Sequence, residues 1–291
     1  MKIVNIIGGL GNQMFEYAMY LALKEAHPQE EIKVCTRSFI GYGLHNGLEI
    51  QRIFGVELPE ASLWQLAKVA YPFFNYRSWQ VMRHFLPTRN SMTRGGFDIP
   101  FDFSQVTRDD SCYYEGYWQN EGNFKHIRDE ILKNYTFSDF EDANNKKLAE
   151  RLNITTAVSC HVRRGDYLKD TSMCVCTPSY YARAISNMNE IVNPELYVIF
   201  SDDIQWCKEN IGELIGNREV CFVDWNKGEQ SFRDIQLMTL CKHNIIANSS
   251  FSWWGAWLNQ NDSKVVVAPE VFGKFAIKND PICDSWIRIN S

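Results

Sequence analysis

The sequence has 291 residues, of which 45% are hydrophobic and 22% charged, and its formal net charge at pH 7 is −5. This composition is typical of a globular protein rather than a disordered one, and the length fits two domains of about 150 residues each. Neither half of the chain is basic, which argues against a nucleic-acid-binding protein.

The nine cysteines lack the spacing of a disulfide framework, so we expect reduced thiols. Cys160, Cys174 and Cys176 lie close together in sequence, but no His lies near them at zinc-finger spacing, and we expect no metal site. The sequence has no signal-peptide pattern and no apolar run of membrane-spanning length. We therefore expect a bacterial, cytoplasmic protein without an integral membrane segment, and peripheral association with the inner face of the membrane stays open.

The chain begins with a predicted strand, Lys2 to Ile7, followed by the glycine-rich turn 8–13 and by apolar residues at helical spacing. Such a turn lets backbone N–H groups approach an anion at the helix N-terminus. Met14 stands where the dinucleotide fingerprint has its third glycine, which disfavours NAD. Close packing of the strand and the helix is the alternative explanation of these glycines.

The remainder of the first half is rich in aromatic residues. A second strand is predicted over Ile32 to Thr36. We expect much of Phe39 to Thr107 to form helical core, with a sugar-binding platform as the alternative. Tyr113 to Gln119 is predicted to be a strand, and its polar and aromatic end fits a wall for a hydroxyl-rich ligand.

Two amphipathic helices are predicted in the middle of the chain, over Asn123 to Tyr135 and Glu141 to Leu152. The polar run Asp139 to Lys147 is the candidate domain boundary. It divides the chain into domains of residues 1–145 and 146–291.

The second half alternates strands and helices. Strands are predicted over Ala157 to Val162, Leu196 to Phe200, Val220 to Val223, Asn244 to Ala247 and, as the final strand, Lys264 to Ala268, with helices over Pro178 to Ile191, from Ile204 and around Ile235 to Leu240. This order predicts a parallel sheet covered by helices. Because the first half begins in the same way, we expect an α/β protein with two Rossmann-like domains that face each other across a cleft.

Paired arginines follow the strand Ala157 to Val162. Arg163, Arg164 and Asp166 come together at its carboxyl end, where open α/β sheets bind their ligands. Guanidinium groups grip phosphate oxygens in a bidentate way, so this segment is a candidate pyrophosphate site. An ordinary surface ion pair is the alternative, and the cell-adhesion tripeptide that starts at Arg164 is disfavoured at a strand-to-turn junction.

Polar residues also follow two other predicted strands. The pair Asp202 and Asp203 resembles a metal site, but we favour a helix cap by Asp202 or Ser201. Ser249 and Ser250 stand at a strand-to-helix turn, where they can cap the helix and also donate to phosphate. The tryptophans that follow are expected to pack in the core rather than stack on a ligand; they are Trp253, Trp254 and Trp257.

Four segments resemble, in order, the motifs of the α-1,2-fucosyltransferase family, glycosyltransferase family 11. They are 8–15 (GGLGNQMF), 161–167 (HVRRGDY), 200–203 (FSDD) and 248–255 (NSSFSWWG), and the resemblance extends from Lys2 to about Pro269. It implies a GT-B-type fold, GDP-L-fucose as donor, inversion at the sugar carbon and no obligatory metal or other cofactor. It also implies a galactose-terminated glycan acceptor that is fucosylated at O2.

The resemblance further implies roles for individual residues. Arg163 is expected to grip the β-phosphate with Arg164 in support, His161 to lie against the guanine, and Asp234 to accept from guanine N1 and N2. The other donor-binding residues that it implies are Gly9, Gly11, Asn12, Asp202, Ser249, Ser250 and Phe251. Asn12 is also expected to face the reaction centre.

Breaking the sugar–phosphate bond creates an oxocarbenium-like sugar and negative charge on GDP, which fixed cations and N–H donors stabilise. The acceptor hydroxyl needs a general base, for which Asp166 is the candidate. An ion pair that only orients Arg163 or Arg164 is the alternative role for Asp166. Glu16 and Glu115 are weaker candidates, and Glu16 stands where we expect Gln in many relatives.

Two other functions stay open at this point. One is a GDP-fucose-dependent transferase with a different acceptor or linkage. The other is a non-catalytic carbohydrate-binding protein, which only the aromatic-rich first half supports. The sequence does not predict the oligomeric state or which galactose-terminated glycan is the acceptor.

Overall fold

A computed structural model of the protein describes residues 1–173, 175–275 and 277–290, and the chain divides into two α/β units. Unit 1 comprises Met1–Ser138 and Lys278–Pro281, and unit 2 comprises Asp139–Ile277 and Ile282–Ser291. The sequence places the boundary at residue 145, and the structural division falls seven residues earlier, at the start of the polar run. The sequence pattern does not predict that Lys278–Pro281 belong to unit 1.

Unit 1 is built on four parallel strands in the order β2-β1-β4-β3. Its elements are β1 (Lys2–Asn5), α1 (Leu10–Ala26), β2 (Ile32–Cys35), α2 (Ile50–Phe54), α3 (Leu63–Val69), α4 (Tyr76–Phe85), β3 (Met92–Gly95), α5 (Ser104–Thr107), β4 (Cys112–Gly116) and α6 (Arg128–Asn134). The three predicted strands are confirmed, with the third ending at Gly116. β3 was not predicted, because its sequence MTRG has no apolar alternation.

The helix predicted over Asn123 to Tyr135 is wrong in its first part. Two 3-10 turns precede α6, and Phe124 separates them with a non-helical φ of −146°. The side chain of Asn120 accepts the N–H of Gly122 at 2.8 Å, which stabilises a turn in place of a helix.

Unit 2 is built on six parallel strands in the order β10-β9-β8-β5-β6-β7. Its elements are α7 (Ala143–Ile154), β5 (Ala157–Val162), α8 (Pro178–Val192), β6 (Leu196–Ser201), α9 (Ile204–Asn210), α10 (Gly212–Ile215), β7 (Glu219–Val223), α11 (Phe232–Leu240), β8 (His243–Ile245), α12 (Ser250–Leu258), β9 (Val266–Pro269) and β10 (Ile287–Ile289). The parallel sheet is confirmed. The prediction that Lys264 to Ala268 is the final strand is wrong, because the three residues of β10 pair with β9.

β5 is an inner strand of the unit 2 sheet and is buried along its whole length. Val158, Cys160 and Val162 belong to the core cluster that also contains Tyr181 and Met188 of α8. Its sequence AVSCHV is made mostly of small and β-branched residues, which explains why this strand could be located from the sequence. Its carboxyl end brings the two arginines to the edge of the sheet.

The tryptophans of α12 pack inside unit 2, as predicted. Trp253 and Trp254 are fully buried with ring centroids 5.0 Å apart, and Trp257 stacks on Trp253 at 6.0 Å. Gly255 of the same helix faces Met238 of α11, and a Cβ added to the glycine would lie 2.8 Å from the Met238 Cβ. α11 and α12 therefore pack so closely that only glycine fits at this position.

The aromatic-rich region of unit 1 is only partly core. Phe73 and Trp79 are buried in one hydrophobic cluster with residues of β1 and β4, as expected. Trp64, Phe74 and Phe85 are exposed, so the expectation of helical core is wrong for them. α3 and α4 each bury a single face.

Within the described residues, no helix combines the length and the apolar composition that crossing a membrane requires.

Candidate active site

Parallel pairing of β5 with β6 brings the arginines to the acidic end of β6. The register ends with Val162 opposite Ser201, which places Arg163 beside Asp202. Nη1 of Arg163 lies 2.9 Å from Oδ2 of Asp202, and the backbone N–H of Arg164 donates to Oδ1 of Asp202 at 3.0 Å. Asp202 therefore fixes the side chain of the first arginine and the backbone of the second.

Arg164 is held by the first turn of α9. Its Nε lies 3.1 Å from Oδ2 of Asp203, and its guanidinium carbon lies 3.9 Å from the ring centroid of Trp206. Asp203 also caps α9 by accepting the Trp206 N–H at 3.2 Å. The prediction that Asp202 or Ser201 caps this helix is wrong, because Asp202 binds the arginines and Ser201 accepts the N–H of Asp203 instead.

The turn after the arginines packs closely against Asp202, and carboxylates outnumber guanidinium groups around it. A Cβ added to Gly165 would lie 2.6 Å from Oδ2 of Asp202, so a larger residue would push that carboxylate away. Asp166 lies 2.6 Å from Nη2 of Arg163, and its side chain is 57% exposed against 26% for Asp202. Two guanidinium groups thus meet three carboxylates, and Asp166 is the most exposed of the three.

The serine motif adjoins this cluster. The Tyr167 hydroxyl donates to the carbonyl of Asn248 at 3.1 Å, and the guanidinium carbon of Arg163 lies 5.5 Å from the Tyr167 ring centroid. Ser249 caps α12 by accepting the Phe251 N–H at 3.3 Å, so the predicted capping role is confirmed for Ser249. The N-terminus of a nine-residue helix therefore lies beside the arginines.

His161 is buried next to this helix. Its ring centroid lies 5.7 Å from that of Phe251, and its Nδ1 has no hydrogen-bond partner among the described residues. Burial lowers the pKa of His161 to about 3, and the positive charge of Arg163 contributes in the same direction. The imidazole is therefore neutral at physiological pH and keeps one ring nitrogen available for a hydrogen bond.

Asp234 lies in the first turn of α11 and is held by a chain of asparagine side chains. Nδ2 of Asn226 donates to its Oδ1 at 2.8 Å, and Oδ1 of Asn226 accepts from Asn145 at 2.7 Å. Burial raises the pKa of Asp234 to about 7, against the lowering effect of the Asn226 hydrogen bond. This carboxyl therefore changes its charge near neutral pH and already accepts one amide N–H.

The glycine-rich turn of unit 1 joins β1 to α1. Gly8 has a φ of +92°, which favours glycine, and Gly9 is the N-cap residue of α1. Oδ1 of Asn12 accepts from Nε2 of Gln119 at 2.7 Å. Tyr117 is near the turn, since a Cβ added to Gly8 would lie 3.3 Å from its ring. The turn and the end of β4 are therefore linked through polar side chains.

Gln13 has a structural role that the sequence did not reveal. Its Nε2 donates to the carbonyls of Gly8 and Gly47 at 2.8 Å each, and its Oε1 accepts from the N–H groups of Glu49 and Ile50 at 2.8 and 3.1 Å. One side chain thus fixes the glycine turn to the loop before α2. Only the motif itself points to this residue.

The two weaker base candidates are both buried in unit 1. Oε2 of Glu16 accepts the N–H of Ile7 at 2.8 Å, and Oε1 has no hydrogen-bond partner among the described residues. Oε1 of Glu115 lies 2.9 Å from Nε of Arg83. Burial raises the pKa of both carboxyls, that of Glu16 well above its ordinary value.

Comparison with known proteins identifies the family. A family model described as glycosyl transferase family 11 matches residues 78–290. An alpha-1,2-colitosyltransferase of Escherichia coli is 31% identical over 301 residues, covering 99% of this chain and 98% of that protein. The chain belongs to glycosyl transferase family 11. A mouse galactoside alpha-(1,2)-fucosyltransferase 2 is 27% identical over 269 residues, covering 89% of this chain and 69% of that protein.

Solved structures support the fold of this family 11 glycosyltransferase. NodZ alpha-1,6-fucosyltransferase, in a crystal soaked with GDP-fucose, gives a TM-score of 0.51 at 15% identity over 88% of this chain and 91% of that one. A second NodZ structure, from Bradyrhizobium, gives 0.51 at 13% identity over 87% and 90%. The predicted GT-B-type class with two Rossmann-like α/β units is confirmed.

The family motifs of unit 2 come together in space. One cluster at the carboxyl edge of the sheet contains most of the predicted site residues of this unit: His161, Arg163, Arg164, Asp166, Asp202, Ser249 and Phe251. Ser250 is the first residue of α12. Asp203 and Trp206 belong to the same cluster and were missed as site residues; the second acid of the FSDD motif was their only signal. Gly9, Gly11 and Asn12 lie in unit 1, and their role at the reaction centre stays a prediction.

The cysteines near this cluster have separate surroundings. Cys160 is buried in the core cluster of β5, and Sγ of Cys176 lies 3.4 Å from Oδ1 of Asn248. Cys174 lies outside the described residues. Among residues 1–173, 175–275 and 277–290, no three His, Cys, Asp or Glu side chains gather as a metal-ligating group.

The buried carboxyl of Glu16 predicts a pH-dependent stability. Its folded-state pKa is raised, so the folded state holds a proton that the unfolded chain releases. The wild-type free energy of unfolding should therefore fall as the pH rises above about 4.5, the unfolded value. Glu16→Gln removes this titration and keeps an oxygen for the Ile7 N–H. We expect the variant to gain stability relative to wild type as the pH rises from 4.5 to 8, in urea unfolding.

Glu25→Gln is the matched control, because Glu25 lies on the same helix and its side chain is 60% exposed. The free energy of unfolding of Glu25→Gln should depend on pH in the same way as that of wild type. A constant stability difference between Glu16→Gln and wild type across this pH range would contradict a proton held at Glu16.

Proposed function

We propose that this family 11 glycosyltransferase transfers L-fucose from GDP-β-L-fucose to O2 of a terminal β-galactoside. The transfer inverts the configuration at the sugar carbon and requires no metal. The observation that carries the proposal is the arginine cluster beside the N-terminus of α12, in a chain similar over most of its length to α-1,2-linking transferases. Unit 2 binds the donor in this proposal, and unit 1 contributes the acceptor side.

The departing diphosphate is stabilised by Arg163 in this mechanism. Negative charge grows on GDP as the sugar carbon becomes oxocarbenium-like, and a prepositioned guanidinium meets that charge without reorganisation. Asp202 holds Arg163 in place, and Arg164 and the N-terminus of α12 add positive potential. Asp166 must leave Arg163 for the diphosphate to bind, and its exposure permits this.

The guanine is recognised by neutral and titratable groups. Asp234 accepts from guanine N1 and N2 when it is ionised, and it already accepts an amide N–H from Asn226. The neutral imidazole of His161, with Phe251 beside it, offers a ring face and an unpaired Nδ1. Because burial raises the pKa of Asp234 to about 7, its acceptor role depends on pH near neutrality.

A second donor is favoured by one observation. The alpha-1,2-colitosyltransferase matches 99% of this chain at 31% identity, whereas the mouse fucosyltransferase matches 89% at 27%. Colitose is L-fucose without the hydroxyl group at C3. The second candidate function is therefore α-1,2-colitosyl transfer, which differs from the first by one hydroxyl of the donor.

The decisive experiment compares the two donors directly. The purified protein is incubated with GDP-L-fucose or GDP-L-colitose and a panel of galactose-terminated glycans, in EDTA, and product linkage is assigned by NMR. We expect transfer to O2 of galactose with a kcat/KM for GDP-fucose at least about tenfold higher, because a site that binds a donor hydroxyl discriminates against its absence. The reverse preference would assign colitosyl transfer, and another product linkage would overturn the O2 assignment.

Arg163→Ala should weaken GDP binding and reduce turnover by about 10²-fold or more, because it removes the cation that meets the leaving group. Arg163→Lys should retain part of both, since a point charge replaces a bidentate fork. Calorimetric titration with GDP and initial rates measure the two effects. Arg183→Ala on α8 is the control, since its guanidinium bonds only Ser179 and Asn290 among the contacts described. Near-wild-type turnover of Arg163→Ala would refute the phosphate role.

Asp166→Asn distinguishes the two roles of that carboxylate. If Asp166 is the general base, the variant loses turnover by about 10²–10⁴-fold and retains its affinity for GDP, and this is the result we expect. As an orienting ion pair only, its loss would tighten GDP binding and leave turnover within a few-fold of wild type. The control is Asp170→Asn, which removes an exposed carboxylate of the same loop that bonds Ser172.

A further inference from the structure

Large apolar side chains are exposed on the outer side of two helices in unit 1. Trp64 of α3 is 83% exposed, and Val81 and Phe85 of α4 are 54% and 79% exposed. Phe74 and Leu86, next to the ends of α4, are also exposed. Single exposed apolar residues are common, but a concentration of large ones in one short segment marks an interaction surface.

The helices direct these residues away from the core. α4 buries Trp79 and Met82, while Arg77, Val81 and Phe85 follow one another at four-residue spacing on the opposite side. α3 behaves in the same way: it buries Leu66 and Val69 and exposes Trp64 and Lys68, again four residues apart. The buried residues of both helices belong to one hydrophobic cluster. We call the exposed set Trp64, Lys68, Arg77, Val81 and Phe85 the outer patch.

The segment that carries the outer patch is strongly biased in charge. Residues 61–97 contain five Lys or Arg and no Asp or Glu, in a chain whose net charge is −5. The rest of the chain therefore carries −10 (30 − 5 = 25 basic against 35 acidic residues). The basic charge is concentrated where the apolar side chains are exposed.

Some of these cations are used inside unit 1 and others are not. Arg83 pairs with Glu115, and Arg89 donates to the carbonyls of Ala67 and Ala70. Lys68 and Arg77 are exposed and make no ion pair within the part of the chain that the structure describes. The outer patch thus offers two unpaired cations beside its aromatic side chains.

We propose that the outer patch binds the surface of an anionic phospholipid membrane. Trp and Phe side chains insert at the boundary between headgroups and acyl chains, and Lys and Arg at the same level bind lipid phosphates. Burial of the apolar groups and attraction to the anionic surface then add to each other. A second copy of the chain fits less well, because a twofold interface would place one acid-free basic segment against another.

Flotation of the full chain with vesicles tests this proposal. Vesicles of phosphatidylcholine alone are compared with vesicles that contain about one-third phosphatidylglycerol, at low and high salt. We expect binding to the anionic vesicles only, weakened at high salt. The Lys68→Gln/Arg77→Gln double variant should bind roughly 25-fold more weakly, from about fivefold for each charge. The affinity of the Trp64→Ser/Phe85→Ser variant for anionic vesicles should be about tenfold or more lower than that of wild type.

Matched controls lie on α7 of unit 2. Lys147→Gln/Ile154→Ser removes an exposed cation and an apolar side chain that is 84% exposed, and it should bind vesicles like wild type. Equal binding by all variants, binding to neutral vesicles alone or no vesicle binding would overturn the proposal. A change of sedimentation mass in the patch variants without vesicle binding would assign the outer patch to self-association instead. Transfer to a soluble acceptor should stay at the wild-type rate in all variants, so that this test is independent of the donor experiment.

Discussion

The contact between Arg163 and Asp202 is the interaction on which the candidate active site depends. It exists because β5 and β6 are parallel neighbours in one register, so the residue after each strand lies beside its counterpart. Asp202 also accepts the N–H of Arg164, and Gly165 leaves room for its carboxylate. A shift of the register by one residue would separate these groups and turn the side chains of β5 to opposite faces. The orientation of the guanidinium is therefore a property of the sheet.

The charge balance of the cluster shapes its chemistry. Three carboxylates pair with two guanidinium groups and keep the cations oriented. In the function proposed above, the diphosphate therefore exchanges with a carboxylate instead of entering an empty positive site. Such an exchange costs less desolvation than burying a new ion pair, because the guanidinium is already paired. Of the two carboxylates that pair with Arg163, Asp166 is the more exposed (57% against 26% for Asp202), so in the proposed function the pair with Asp166 is the one that changes.

The sequence predicts features that depend on residues next to one another along the chain. The bounds of β5 match the prediction, since its small and β-branched residues and the charged residues that follow them mark the strand in the sequence. The partner of Asp202 could not be predicted, because it lies 38 positions away and depends on strand pairing. The same holds for Gln13, since three of its four backbone partners lie 34 to 37 positions along the chain. The exposure of Trp64 and Phe85 was missed because composition reports apolar content and not the side of a helix.

The path of the chain between the two units has a consequence for how the protein can be divided. The polypeptide leaves unit 1 after Ser138, returns for Lys278–Pro281 and then ends in unit 2 with β10. Asn120 donates to the side chain of Asn279 and to the carbonyl of Asp280, so the returning residues complete hydrogen bonds of unit 1. A hybrid enzyme that joins the first unit of one relative to the second unit of another therefore needs three junctions, and recombination at a single point would leave both halves incomplete.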